Sequence, residues 1–304
     1  MSHGSATVPL MTAFRASFAL LLIAATALLA ACGSSDSGST SAATSAAAET
    51  TTEAADTCAV DQLALKTPGQ LTVATDKPAY PPYFEDDDPS NGKGFESAVA
   101  YAIADHMGFT KDQVTWIVVP FDASYAPGDK KFDFDVNQIS ITAPRQKVVD
   151  FSTPYYTAPQ AIIVQKGSPF EGKTALADFA GATIGVQVGT TSLDAATSLI
   201  KPTAQPKVFN NSNDVVAAFK QKQVDAIVTD LPTALYLTAV ELPKGVVAGQ
   251  FSAPGGDQWG ALLQKDSTLT PCVDKAIDAM KADGTLDDLT MTWMAEQAGA
   301  PELT

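Results

Sequence analysis

Histidine is almost absent from this chain of 304 residues: there are two, one of them in a leading segment set aside below. So few imidazoles leave no Ser-His-Asp or Cys-His set to assemble, which argues against nucleophilic catalysis. Cysteine is scarce as well, with three in all, and no cluster falls at metal-ligand spacing. The sequence calls for no metal, no cofactor and no catalytic residue. Basic residues are outnumbered, 19 Lys and Arg against 34 Asp and Glu, for a net charge of −15. Nucleic acid requires clustered cations, so that partner is excluded. An acidic surface favours solubility and says little of a small ligand, whose pocket is decided by a few groups. The apolar run at residues 18–31 is shorter than the roughly 20 residues that cross a bilayer comfortably.

That run is informative all the same. Arg15 is the only Lys or Arg before it, and it ends in Leu29-Ala30-Ala31-Cys32, which resembles the lipobox of bacterial lipoproteins. The resemblance implies a signal peptide over residues 1–31, starting at Met1 or Met11, and cleavage before Cys32. Cys32 would then carry lipid and anchor the chain at the extracellular face of the cytoplasmic membrane. An ordinary signal peptide beside an incidental cysteine is the plainer alternative. Residues 32–57 are almost wholly Ser, Thr, Ala and Gly with a few acids; without apolar periodicity they read as a flexible tether. Cys58 and Cys272 remain as an even pair in an exported chain. That favours a disulfide pinning the start of the folded body to its C-terminal helices, with two buried thiols as the alternative.

Hydrophobic residues make up 45% of the chain and charged ones 17%, enough for a real core in one large or two medium domains. Apolar strands are expected over residues 71–74, 114–119, 160–165, 183–188, 224–230 and 259–264. Helical signals fall between them. Phe95, Val99, Ala102, Ile103 and His106 share one face up to Gly108, and residues 176–181 make a short helix. Ser212 or Asn213 caps another helix, and residues 271–282 and 286–296 close the chain. Strands alternating with helices at such spacing mean α/β units with largely parallel sheets. His106, near a helix end, reads as a capping or surface residue rather than a ligand.

The candidate chemistry is spread over a few stretches. In residues 137–142, Ile139 and Ile141 alternate with Gln138, Ser140 and Thr142, the period of a half-buried strand. Pro144 stops its ladder, and Arg145 stands where the strand end meets a turn, a planar fork of donors suited to a carboxylate. Pairing with a local acid such as Asp150 is the ordinary alternative. Asp76 opens a loop in which Tyr80, Tyr83 and Phe84 are interleaved with Pro78, Pro81 and Pro82. It is either a stiff ligand wall or a set of aromatics packing the loop down. Gly189-Thr190-Thr191 joins a strand to a helix, where free N–H groups can hold an anion and the hydroxyls can cap. Asp230 ends a strand before Leu231-Pro232, as an N-cap or as a carboxylate aimed into a cleft.

These segments, with Gly94-Phe95-Glu96, Asp150-Phe151-Ser152-Thr153-Pro154-Tyr155, Asp225-Ala226-Ile227 and Asp283-Gly284-Thr285, occur in an order and spacing that resembles the bacterial extracellular solute-binding proteins of family 3. That family serves ABC importers for polar amino acids. The resemblance implies an α/β, two-lobed fold of the type II periplasmic-binding-protein kind with a hinge of two crossover strands. Residues 58–157 plus 257–304 would form one lobe and 158–256 the other. It implies that Arg145 clamps the ligand α-carboxylate, that Thr190, Thr191 and neighbouring amides hold the same group, and that Asp230 takes the α-ammonium, helped by Ser140. Tyr80 and Tyr83 would wall the side chain, with Asp76, Gln138 and Gln187 completing the set. Partners would be importer membrane subunits and, through the lipid, the membrane; a monomer is expected. This chain departs from the family at Glu96 in place of Asp, at Asn137-Gln138, in a longer loop after Asp76 and in residues 121–131. Asp76 favours a basic ligand, Asn137 and Gln138 an amide, and no second Arg is placed for an acidic one. The reading is therefore a polar or amide L-amino acid. A dehydratase on the same fold and an extracellular sensor lobe are the rival classes.

Overall fold

The computed structural model describes residues 57–253, 255–295 and 299–304; the signal peptide, Cys32 and nearly all of the tether lie outside the described residues. In chain order the strands and α-helices are β1 (Leu71–Thr75), α1 (Phe95–His106), β2 (Val114–Val118), α2 (Phe121–Ser124), β3 (Phe134–Asp135), α3 (Ala143–Gln146), β4 (Val149–Phe151), β5 (Tyr156–Ala158) and β6 (Gln160–Gln165). There follow β7 (Ile184–Gln187), α4 (Thr191–Ala195), β8 (Lys207–Phe209), α5 (Ser212–Lys220), β9 (Ala226–Asp230), α6 (Leu231–Tyr236), β10 (Gly245–Phe251), β11 (Asp257–Trp259), β12 (Leu262–Gln264), α7 (Thr270–Ala282) and α8 (Thr285–Met294).

Two five-stranded sheets carry the fold, in the orders β2-β1-β3-β12-β4 and β10-β6-β9-β7-β8. Between them β5 and β11 pair antiparallel; the chain leaves the first sheet through one and returns through the other. Every residue of β1 is buried because β2 and β3 flank it on both edges. Phe95, Val99 and Ile103 of α1 meet Val273, Ile277 and Met280 of α7 in the core of the first lobe. The Cys58–Cys272 disulfide ties the segment before β1 into that core and closes a loop of 214 residues. The second sheet is covered on both faces. Ile162 and Val164 of β6 point into one apolar cluster, Ala161 and Ile163 into another, which is why β6 reads as a continuous apolar run rather than an alternating one.

Several expectations are corrected. The sheets are mixed rather than largely parallel, because strands on the far side of the hinge return antiparallel: β12 against β3 and β4, β6 against β9 and β10. The polar-apolar alternation at residues 137–142 does not make a strand. Gln138 sits at φ 48° in the left-handed region, which breaks the ladder, and Ser140 keeps a single bridge to Trp259. Pro144 does not end a strand but opens α3, whose N-cap Thr142 accepts from the Arg145 amide. Residues 259–264 split into the ends of β11 and β12, shared between hinge and first sheet. The N-cap of α5 is Asn211, one residue before the expected pair.

Asp135 is the least expected core residue. It is fully buried in β3, opposite Ala74 and Leu262 on the neighbouring strands, and neither carboxyl oxygen has a hydrogen-bond partner among the described residues. Burial pushes its pKa well above the carboxylate range, with Glu96 and Asp76 adding to the push. The folded chain thus binds this proton more tightly than the unfolded one, so the stability it contributes is greatest in acid and is lost as pH rises past the ordinary carboxylate range. An unsatisfied buried polar group costs about 1–3 kcal/mol. Asp135→Val should therefore raise the unfolding free energy at neutral pH by that order, seen as a higher urea midpoint, and remove a loss of stability as pH rises past the ordinary carboxylate range. A lowered midpoint would reveal a partner for Asp135 in solution.

Candidate functional site

The loops at the ends of the two sheets enclose a cleft lined by Asp76, Tyr80, Tyr83, Gln138, Ser140, Gln187, Thr190, Thr191 and Asp230. Of the residues singled out in the sequence, only Arg145 stands beside this lining rather than in it. The guanidinium is nearly buried and donates to the Ser140 carbonyl at 2.6 Å and to the Gly189 carbonyl at 2.9 Å. It lies over the ring of Tyr125, 4.7 Å from the centroid, and near Phe121. Asp150, the local acid considered for it, pairs with Lys265 at 2.9 Å. Arg145 therefore spends donors on backbone carbonyls from both sides of the cleft and, among the described residues, none on a carboxylate.

Other contacts also cross the cleft. The Tyr83 hydroxyl meets Thr233 Oγ1 at 3.0 Å, Ser140 Oγ meets Thr191 Oγ1 at 3.3 Å, and the Tyr125 hydroxyl donates to the Gly189 carbonyl at 3.2 Å. Tyr80 packs at a tilt against Tyr236, centroids 5.4 Å apart, and donates to Asn213 Oδ1. All three aromatics of the loop border the cleft, and Tyr83 and Phe84 are also packed into the first core. With these bonds made across it, the cleft is in a closed arrangement.

Thr190 does cap α4: its hydroxyl accepts from the Leu193 amide at 3.2 Å and donates to the Gln187 carbonyl at 2.9 Å. Gln187 Oε1 in turn accepts from Ser212 Oγ at 2.8 Å, which links β7 to the start of α5. Asp230 occupies the N-cap position of α6 and makes no capping bond. Its carboxylate accepts instead from Gln160 Nε2. Burial pushes its pKa up to about 8, reinforced by the charge of Asp257 and by Glu96, and opposed by the Gln160 bond and by Arg145. A carboxylate in that state gains most from an arriving cation.

Glu96, noted in the sequence within Gly94-Phe95-Glu96 and as a departure, is fully buried behind the cleft residue Gln138. One oxygen accepts from the Gln138 amide at 2.7 Å and from the Tyr155 hydroxyl at 2.5 Å, and the other from Gln138 Nε2. These bonds hold Gln138 in its left-handed conformation. Glu96 and Gln138, read separately as two departures, are direct hydrogen-bond partners. Burial pushes the Glu96 carboxyl up to about 7. Gln160 and Asp257 were missed outright. Their one signal was a polar residue at the head of an apolar strand, the same place Asp230 takes at a strand's end.

This two-lobed α/β architecture with a hinged cleft defines a class of solute-binding proteins. The chain belongs to the bacterial extracellular solute-binding proteins, family 3, whose family model matches residues 71–296. Among curated relatives it is 29% identical over 231 residues to the L-cystine-binding protein TcyJ of Escherichia coli (strain K12), covering 75% of this chain and 84% of that one. Among solved structures it resembles an ancestral arginine-binding protein bound to glutamine, at 32% identity and a TM-score of 0.64 over 75% of this chain and 98% of that one. It also resembles an ancestral amino-acid-binding protein described as a precursor of cyclohexadienyl dehydratase, at 31% identity and a TM-score of 0.61 over 74% and 95% of the two chains. Its curated relatives carry the names of amino-acid-binding proteins, for cystine, histidine or arginine among others.

Proposed function

We propose that this protein captures a polar L-amino acid for an ABC importer, as a monomer anchored by lipid on Cys32 outside the cytoplasmic membrane, and that it does no chemistry on its ligand. Residues 58–157 with 257–304 act as one lobe and 158–256 as the other. The observation that carries this reading is a guanidinium and a buried carboxyl group at one cleft, Arg145 and Asp230, that do not pair with each other: Arg145 bonds the Ser140 and Gly189 carbonyls, and Asp230 accepts from Gln160. A zwitterion supplies what each lacks. Its carboxylate takes the guanidinium and the amides about Thr190 and Thr191, and its ammonium takes Asp230 and Ser140. A ligand missing either charged end leaves a buried group unpaired, at a cost of several kcal/mol.

The side chain would reach Asp76, Asn137, Gln138 and the Tyr80 wall. Asn137 lines the cleft with a buried Nδ2 that has no partner among the described residues, and Asp76 brings an acceptor. One donor and one acceptor suit a carboxamide, so glutamine is the preferred ligand, with arginine second through Asp76. A thermal-shift titration of the purified protein with the L-amino acids tests this, since binding to the native state raises the midpoint by RT ln(1 + [L]/Kd). A shift with glutamine or arginine is expected, and proton NMR should find the amino acid unchanged afterwards. A shift with a simple carboxylate and none with any amino acid would overturn the zwitterion reading; consumption of the ligand would favour the enzyme.

A further inference from the structure

We propose that Gln160 and Asp257 are positioning residues that fix the Asp230 carboxylate and tie the ammonium subsite to the two hinge strands. The inference rests on the reading of Asp230 just given. Gln160 follows β5 by two residues and heads β6, where it is the direct cross-strand partner of Asp230. Asp257 heads β11, the other hinge strand, opposite Ala158. Both are essentially inaccessible to solvent. The side-chain amide of Gln160 donates to Asp230 Oδ1 at 2.5 Å and to Asp257 Oδ2 at 2.9 Å. Both of its N–H bonds are spent on carboxylates, and its own Oε1 has no partner among the described residues.

As structural packing this arrangement is a poor one. Two carboxylates face each other through one amide, in a place where apolar side chains of similar volume would be at least as stable. It makes sense if the carboxylates are to meet a cation. Charge-assisted bonds then hold Asp230 in place beforehand, so less ordering is needed when the ligand arrives. A movement of β5 against β11 also moves the two groups that hold Asp230. Hinge angle and ammonium affinity are then coupled, and a ligand that binds the closed arrangement better shifts the protein toward it.

The two positioning residues act on Asp230 with opposite signs. Asp257 disfavours its ionised form and the Gln160 bond favours it; the other groups facing it are Glu96 on α1, Arg145 on α3, Tyr83 in the loop after β1 and Tyr156 on β5. Asp257→Asn keeps the acceptor for Gln160 and removes the charge, whereas Gln160→Leu removes the donor and keeps the volume. Two measurements on the full protein test this: carbon-13 carboxyl NMR titration of Asp230 without ligand, and calorimetric affinity for L-glutamine and L-arginine across the pH range about Asp230's midpoint. In the parent, affinity should rise about tenfold per pH unit below that midpoint and level off above it. In Asp257→Asn both the midpoint and the levelling-off should move to lower pH, and in Gln160→Leu both should move to higher pH. A merely structural role predicts no such opposed pair. An Asp230 titration unmoved in both variants, or moved the same way, overturns the proposal while leaving the binding reading intact if the parent still binds. Midpoints that move as expected beside a flat affinity profile would overturn the ammonium role of Asp230 itself.

Discussion

Replacing Arg145 with alanine is expected to abolish amino-acid binding while the ligand-free protein stays folded. The amide of residue 145 keeps its bond to the Thr142 N-cap, so α3 survives the change. Of the two carbonyls that lose the guanidinium, Gly189 still accepts from Tyr125, and Ser140, on the cleft lining, loses one hydrogen bond. A buried cation is also removed, which offsets part of the lost bonding, since burial disfavours the charged guanidinium. The ligand-bound state has no such compensation. Its carboxylate would lie desolvated without its planar partner, a loss of about 3–5 kcal/mol, or more than a hundredfold in Kd. Arg145→Lys should recover little, because a point charge cannot reproduce a fork that bonds two sides of the cleft at once. Calorimetry at pH 7 with L-glutamine decides the matter, and an Arg145→Ala affinity within about threefold of the parent's would remove Arg145 from the site.

Local signals carried much of the fold. β6 and β7 were legible because a continuous apolar run bounded by turns has few other readings, and α1 because its apolar face ends at Gly108, which takes φ 87°. Residues 137–142 failed for a tertiary reason. Their alternation is real, but the Gln138 backbone is set by Glu96, 42 residues earlier, and no window of neighbouring residues contains that bond. Gln160 and Asp257 were illegible for the same cause. They are 97 residues apart and acquire meaning only where the two hinge strands bring them to Asp230. Arg145 was read as a fork for a carboxylate, with pairing to Asp150 as the alternative; the folded chain gives it two carbonyls and two rings, contacts that no local window contains.

Gly189→Ala should weaken binding through closure rather than through any contact to the ligand. Gly189 takes φ 70°, where a side chain is strained by about 1 kcal/mol, and a Cβ there would lie 1.9 Å from the Tyr125 hydroxyl oxygen. That hydroxyl cannot stay. It bonds the Gly189 carbonyl, and its ring lies under the guanidinium that bonds the same carbonyl, so displacing Tyr125 loosens the clasp across the cleft. A ligand held from both sides binds the closed arrangement, and its apparent affinity falls with the fraction of protein able to close. A loss of at least about tenfold in affinity is expected, with closure in X-ray scattering reached only at correspondingly higher ligand concentration. Tyr125→Phe in the same chain supplies the control. With the hydroxyl gone the nearest atom to the new Cβ is a ring carbon at 3.2 Å, a separation that a small shift of the ring relieves. The double variant should regain much of the lost affinity even though it lacks a hydrogen bond that the single variant formally retains. If Gly189→Ala binds as the parent does, closure does not pass through this contact. If the double variant stays as weak as the single one, backbone strain at residue 189 is the cause instead of the clash.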